Sequence, residues 1–321
     1  MGTIVAILGT RYPDFSIEEQ ILGPDVSIVS GAGGTADEIV DLAGEAEVIL
    51  AGSLPKFTAD VIGRLPVCQG IVRSGIGVDS VDLVAARQAG VWVVNVPDYG
   101  TEAVAQHTLA LALAATRRLS ETDAIVKGGG WGFDGLRPLR LPGSMTAGVV
   151  GFGRIGRRVA GLLLSVGFGR LVAFDPFQEP DGHGVEATSL AAVLAEADVI
   201  CLHAPGPPDG RPLIGEAELA LMKQGSVLVN SSRGSLIDPH ALAAALAAGA
   251  PRVAALDVFA PEPPDLSPYA DVKDRLILSP HMAWYSEESQ ADLRTKSAQE
   301  ARRLLSGLDP LNPVVNPKEK P

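Results

Sequence analysis

Cysteine is scarce in this chain, with Cys68 and Cys201 its only two. Each falls in or beside an aliphatic run that reads as a buried strand. Both are therefore expected as small core hydrophobes in a reducing compartment, not as a disulfide. Cysteine and histidine never recur at metal-ligand spacing, and no metal is expected. Aromatic residues make up 5% of the chain and apolar residues 46%, which leaves Ala, Val, Leu and Ile to build the core. Positive charge is short, with 26 Lys and Arg against 38 Asp and Glu, a formal net charge of −12. That balance argues against nucleic acid and anionic membrane surfaces as partners, and any anionic substrate needs local cationic help. The opening run Met1-Gly-Thr-Ile-Val-Ala-Ile-Leu-Gly9 has no basic segment and too short an apolar stretch for a secretion signal. It reads as a first strand, and the expected location is cytoplasmic.

What is present is alternation. Aliphatic runs at Thr3–Leu8, Val26–Ser30, Val48–Ala51, Gly70–Arg73 and Val91–Asn95 read as strands, with helical patterns between them such as Ile17–Leu22 and Thr35–Leu42. Thr58 reads as the cap of a further helix. Repeated βα units imply a parallel sheet covered by helices on both faces. The longest helical pattern, Thr101–Leu119, follows the break at Pro97-Asp-Tyr-Gly100. A glycine-rich loop at Gly128–Gly132 and a Pro/Arg segment to Pro142 come next. Later strands are expected at Leu171–Phe174, Val199–Leu202, Ser226–Asn230, Arg252–Leu256 and Leu276–Leu278. A last helix is expected over Glu287–Leu305, ahead of a polar, proline-rich tail. The expected fold class is α/β with two doubly wound parallel-sheet domains: a Rossmann NAD-binding domain over 98–282, and a flavodoxin-like substrate domain over 1–97 completed by 283–321.

The most specific motif is Thr146-Ala-Gly-Val-Val-Gly-Phe-Gly-Arg-Ile-Gly156. An apolar strand runs into Gly151-x-Gly153-x-x-Gly156, a helical stretch (Arg157 to Val166) follows, and a second strand delivers Asp175 nineteen residues past the last glycine. The first glycine permits a tight turn, the second lets backbone approach a pyrophosphate, and the third lets helix and strand pack closely. The free N–H groups of the helix terminus favour the negative charge. Asp175 suits a ribose diol and repels a 2′-phosphate, and Pro176–Pro180 contains no Arg or Lys, so NAD is expected over NADP.

Three polar residues follow separate strands: Arg233, Glu262 and His281. Ligands of open parallel sheets bind outside the carboxyl ends of the strands, so all three are expected to face one crevice. Arg233 supplies a planar, bidentate donor for a carboxylate. His281 supplies a proton near neutral pH, and Glu262 orients the imidazole and favours its protonated form. This set fits hydride transfer to a 2-keto acid. Asp257, also at a strand end, reads either as an acceptor for the nicotinamide carboxamide or as a turn-capping residue. His203 reads as lining the nicotinamide or as structural. His107 and His183 carry no context that raises them. The Gly75-Ile-Gly77 turn after Arg73 reads as an anion nest or as a plain βα turn.

Taken together, Arg73–Asp79, Val149–Gly156, Val229–Ser235, Ala255–Phe259 with Glu262-Pro263, and Ser279-Pro-His281 resemble the D-isomer-specific 2-hydroxyacid dehydrogenases along nearly the whole chain. The resemblance implies a catalytic set of Arg233, Glu262 and His281, and NAD(H) bound between two domains. It implies cofactor contacts from Gly151, Gly153, Arg154, Ile155, Gly156, Asp175, His203, Ala204, Pro205, Ser231, Ser232, Asp257 and Thr108. It also implies a homodimer paired through the 101–119 helix region. Val96-Pro-Asp-Tyr99 and His281–Glu288 look closest to the branch containing C-terminal-binding proteins. That branch implies substrate contacts from Arg73, Ser74, Gly75, Ile76 and Trp284, although Trp284 also reads as an interdomain packing residue. Met282 stands where small residues are common, and Ala204–Pro208 is unusually rich in proline.

The expected activity is NAD-dependent interconversion of a small 2-keto acid and its D-2-hydroxy acid. Two rival expectations stand beside it. One is a non-catalytic NAD(H)-sensing binding protein. The other is a dehydrogenase for a phosphorylated substrate such as 3-phosphoglycerate, with Arg11, Lys56, Arg137 and Arg140 as candidate phosphate ligands.

Overall fold

The computed structural model describes residues 2–10, 12–182, 184–207 and 209–319. Arg11, His183 and Pro208 of the sequence reading lie outside the described residues. Two compact units divide the chain, Met1–Gly100 with Ser286–Pro321, and Thr101–Tyr285.

In the first unit, parallel strands β1 (Thr3–Leu8), β2 (Val26–Gly31), β3 (Val48–Ala51), β4 (Gly70–Arg73) and β5 (Trp92–Asn95) are ordered β2-β1-β3-β4-β5. An antiparallel edge strand, Pro313–Val315, closes the β5 side. Both faces of the sheet are buried, which is why its strands read as continuous aliphatic runs. Ala6, Ile49, Ile71 and Val93 face the helices Ala36–Ala43, Ala59–Gly63 and Leu83–Gln88. Ile7, Leu50, Val72 and Val94 face Leu22 and the Ala301 and Leu304 side chains of the last helix, Glu287–Leu305. The Thr35 and Thr58 hydroxyls cap their helices by accepting from Glu38 and Val61 N–H.

The last helix is also held by charge. Arg294 donates to both oxygens of Glu18 at 2.9 and 2.7 Å and to the Asp14 carbonyl at 2.8 Å, with its guanidinium over the Tyr12 ring. Glu18 is fully buried and Arg294 nearly so.

In the second unit, all-parallel strands β6 (Thr146–Val150), β7 (Arg170–Phe174), β8 (Val185–Ala187), β9 (Val199–Leu202), β10 (Val227–Asn230), β11 (Val253–Leu256) and β12 (Leu276–Leu278) are ordered β8-β7-β6-β9-β10-β11-β12. Strand order reverses between β6 and β9, and the carboxyl ends of those two strands flank the crevice that doubly wound sheets use for ligands. Val149, Ala173, Cys201, Val229 and Ala255 face the helices Thr101–Thr116 and Arg154–Ser165. Val150, Val172, Ile200, Leu228 and Ala254 face Leu190–Glu196 and Pro239–Ala248. Cys68 and Cys201 are buried free thiols, and burial pushes each up to about 12. Among the described residues no helix is long and apolar enough to cross a membrane.

Three expectations need correction. The helix expected over Thr101–Leu119 ends at Thr116, because Arg118 turns left-handed (φ 54°), and a separate helix Leu119–Lys127 follows. The apolar periodicity runs through this break and cannot register it. The sequence reading missed β8, a three-residue edge strand with two exposed residues and no apolar run. It also read Pro313–Val315 as tail, although an edge position tolerates its proline.

Removing one partner of the buried pair leaves an uncompensated charge. Arg294→Ala should therefore destabilise the chain by about 3–5 kcal/mol, measured as the loss in urea-unfolding stability. A loss under about 1 kcal/mol would show that the pair is solvated.

Candidate active site

At the carboxyl end of β6 the chain turns through Gly151–Gly153 into the helix Arg154–Ser165. A Cβ on Gly151, whose φ is 89°, would run into the His203 and Ala204 backbone, and one on Gly156 would overlap the Gly151 carbonyl oxygen. Around Gly153 no described atom comes within 4 Å of a Cβ position. The turn is tight at both ends and open in the middle. Asp175, at the end of β7, accepts from Phe152 N–H at 2.7 Å, Phe177 N–H at 2.8 Å and Gln178 N–H at 3.2 Å. Burial works against its charge, yet these donors prevail and hold the carboxyl below the usual range. Beyond β9, His203 donates its N–H to the Val150 carbonyl at 2.6 Å. Its ring Nε2 is buried without a partner among the described residues, and burial pushes the imidazole down to about 4.

After β10, the buried Asn230 side chain ties the next loop. Its amide donates to the Arg233 carbonyl at 2.8 Å and accepts from Ser232 N–H at 3.1 Å. Arg233 donates to the Ser232 carbonyl at 2.7 Å. Gly234 lies so close to the Phe259 backbone that no Cβ fits, which sets the Arg233 loop against the loop after β11. On that loop, Glu262 accepts from Phe259 N–H at 3.0 Å and meets His281 Nδ1 at 2.7 Å. Burial raises the Glu262 pKa, but the His281 hydrogen bond, the Phe259 N–H and the neighbouring charges outweigh it, so Glu262 stays below the usual range. His281 follows β12 in a left-handed conformation (φ 53°). With Nδ1 engaged, Nε2 is the ring atom that can hold or pass a proton.

Asp257, 1% exposed, ties the loop of His281 together. Its carboxylate accepts from Ser279 Oγ at 2.6 Å, Met282 N–H at 3.0 Å and Ala283 N–H at 2.9 Å. Trp284 stands edge-on to Tyr285, ring centroids 5.7 Å apart.

In the first unit, Arg73 ends β4 and donates to the Ser74 carbonyl. Asn95 of β5 fixes the turn by donating to the Ile76 carbonyl at 2.7 Å, and Gly75 has φ 148°. Ser74 is nearly buried, with its hydroxyl beside that of Tyr12.

Residues 109–283 match the family model for the D-isomer specific 2-hydroxyacid dehydrogenase, NAD binding domain. The chain belongs to the D-isomer-specific 2-hydroxyacid dehydrogenase family. It is 36% identical over 287 residues to a D-3-phosphoglycerate dehydrogenase of Methanocaldococcus jannaschii, covering 88% of this chain and 54% of that one. It thus spans about half the length of that relative. A glyoxylate reductase of Aeropyrum pernix is 32% identical over 87% of this chain and 85% of its own. The D-lactate dehydrogenase of Aquifex aeolicus, solved with NAD and lactic acid, superposes with a TM-score of 0.84 at 28% identity, over 94% of this chain and 96% of that one.

The second unit carries the family's NAD-binding domain, and its residues fit the cofactor. The glycine turn leaves open space at Gly153, a helix N-terminus follows it, and the orphaned His203 Nε2 lies in the adjoining loop. Of the residues singled out from sequence, Glu262 and His281 are in direct contact, and the Arg233 loop packs against the Glu262 loop. Thr108 is fully buried, its hydroxyl donating to the Val104 carbonyl and lying 2.6 Å from Ser231 Oγ. Arg154 and Ile155 open the helix after the glycine turn, and Ala204 and Pro205 lie on the loop after β9, both at the strand-order reversal. Arg140 pairs with Asp198 at 3.0 Å. Asp198 also accepts from Thr146 N–H at the start of β6, the sheet edge opposite His281. Arg137 pairs with Asp134 and covers the Phe133 ring, and Lys56 is exposed in the first unit.

Sequence reasoning missed Asn230, although an Asn at a strand end before Ser-Ser is a turn signal. It also passed over His107, whose Nε2 lies 3.0 Å from Ser279 Oγ.

Gly153→Ala should leave folding stability within about 0.5 kcal/mol of the parent, yet weaken NADH binding at least tenfold. Gly156→Ala should cost about 1–3 kcal/mol. Urea unfolding and fluorescence titration check both, and unchanged NADH affinity in Gly153→Ala would place the pyrophosphate elsewhere. For His203, the unfolded ring protonates near ~6.5, so the unfolded state binds more protons between there and about 4. Stability falls as pH drops through that window. His203→Leu should remove roughly 2–3 kcal/mol of the loss between pH 7 and 4.5, read from urea unfolding of the unliganded protein. Parallel pH curves for the two proteins would contradict a buried neutral ring.

Proposed function

We propose that the protein is an NAD-dependent dehydrogenase that interconverts a small, unphosphorylated 2-keto acid and its D-2-hydroxy acid. The observation that carries this reading is the 2.7 Å contact between Glu262 and His281 Nδ1, at the carboxyl edge of an NAD-binding sheet. The Gly151–Gly156 turn holds the pyrophosphate and Asp175 takes the ribose hydroxyls. NAD, when bound, supplies or accepts the hydride at the substrate's C2. His281 Nε2 gives a proton to the carbonyl oxygen in reduction and removes it in oxidation. Glu262 fixes the ring's orientation and balances its positive charge. Arg233 holds the substrate carboxylate, with the planar donor geometry that a lysine lacks. In the first unit, the Arg73–Ile76 turn offers a cation and backbone N–H groups, a setting that favours a carboxylate.

Two of the four candidate phosphate ligands, Arg137 and Arg140, are engaged by Asp134 and Asp198, the latter at the far edge of the sheet, which favours an unphosphorylated substrate. Relatives stand on both sides: the glyoxylate reductase and D-lactate dehydrogenase fit this choice, and the D-3-phosphoglycerate dehydrogenases fit the phosphorylated rival. The reading extends to a homodimer. In the segment that follows the helix Thr101–Thr116, the side chains of Leu119, Val126, Trp131 and Phe133 are exposed, apolar area suited to a second copy. Two reduced, buried thiols suit a cytoplasmic setting.

NADH oxidation followed at 340 nm over glyoxylate, pyruvate, hydroxypyruvate, branched and aromatic keto acids and phosphohydroxypyruvate tests the reading. Turnover is expected on an unphosphorylated member, with His281→Ala lowering kcat by about 10²–10⁴ while NADH still binds. Preference for phosphohydroxypyruvate would overturn the substrate class, and NADH binding with no turnover would overturn the enzyme.

A further inference from the structure

The geometry points to His107 as a positioning residue for His281, acting through Ser279 and Asp257. This assignment rests on the reading of His281 as the proton donor. Ser279 Oγ spends its proton on the Asp257 carboxylate at 2.6 Å, so at its 3.0 Å contact it must accept from His107 Nε2–H. The bonds beyond it all end on Asp257 as acceptor. Asp257, loaded by Ser279, receives Met282 and Ala283 N–H, and its main-chain carbonyl receives His281 N–H at 2.7 Å. Those bonds hold His281 in a left-handed conformation that residues with a Cβ adopt rarely. His107 Nε2 is also 3.7 Å from the carboxylate itself, which places a donor against a buried negative charge.

The helix Thr101–Thr116 makes this arrangement rigid. Its adjacent residues His107 and Thr108 each reach a different loop, His107 the Ser279 side of the His281 loop and Thr108 the Ser231 start of the Arg233 loop. Its first turn is held to the helix of the glycine motif by the Glu102–Arg158 pair at 2.6 Å. One helix thus indexes two loops and the glycine-motif helix of the second unit against one another. It begins where the chain enters that unit, and the His281 loop runs to where the chain leaves it.

Hydrogen exchange of the unliganded full chain, NADH titration and steady-state kinetics test the inference together, with His107→Ala, His107→Gln, Ser279→Ala and the His107→Ala/Ser279→Ala double variant. His107→Ala should speed exchange of the Met282 and Ala283 amides about tenfold or more. It should lower kcat by about tenfold or more, while the KM for the keto acid and the Kd for NADH change less than about threefold. His107→Gln, which keeps a donor, should restore both exchange and kcat. The double variant should be no worse than either single one, because the residues act as one chain. Unchanged exchange in His107→Ala, multiplying losses in the double variant, or failure of His107→Gln to rescue would overturn the inference. Exchange that responds as expected in a protein that turns over no keto acid would sustain the positioning role and reject the dehydrogenase.

Discussion

A single buried carboxylate, that of Asp257, organises the loop on which the proposed chemistry depends. Taking a charge out of water is costly unless it is fully hydrogen-bonded, and at Asp257 the donors come from the His281 loop itself. Ser279, Met282 and Ala283 pay for the burial by wrapping the carboxylate. Within the loop that they fix, His281 sits with φ 53° and its ring against Glu262. The strain at His281 and the solvation of Asp257 are two sides of one arrangement.

The rest of the second unit explains why this loop meets the others. In a parallel sheet every strand ends at the same edge, so residues far apart in sequence share a neighbourhood by topology alone. The reversal of strand order between β6 and β9 opens that edge where Gly151–Gly153 and His203 lie. Glycine is required there by contact: side chains at 151 or 156 would occupy backbone, whereas 153 faces open space. Asp175 is tied to the same turn by the Phe152 N–H, so the groups expected to hold ribose and pyrophosphate are positioned by one another.

Much of this was legible in the sequence, for local reasons. The strands are aliphatic because both sheet faces are covered, and their carboxyl ends follow once the strands are found. Arg233, Glu262 and His281 stand out because each is a polar residue in the loop that follows such an end. What could not be read was lateral. His107 lies in an Ala- and Leu-rich helix where nothing local marks the face turned toward Ser279. Asp257 admitted two readings, and only the fold shows both its oxygens engaged by the turn at 279–283. The break at Arg118 depends on one backbone angle, and β8 carries too little apolar surface to stand out from a loop.

The configuration of the product tests the account most directly. In the proposed reaction Arg233 and His281 together would set the face on which a keto acid meets the cofactor, and the family to which the chain belongs is named for D-isomers. Chiral chromatography of the hydroxy acid formed with NADH should show the D enantiomer alone. An L or racemic product would contradict the assignment of these residues to this reaction.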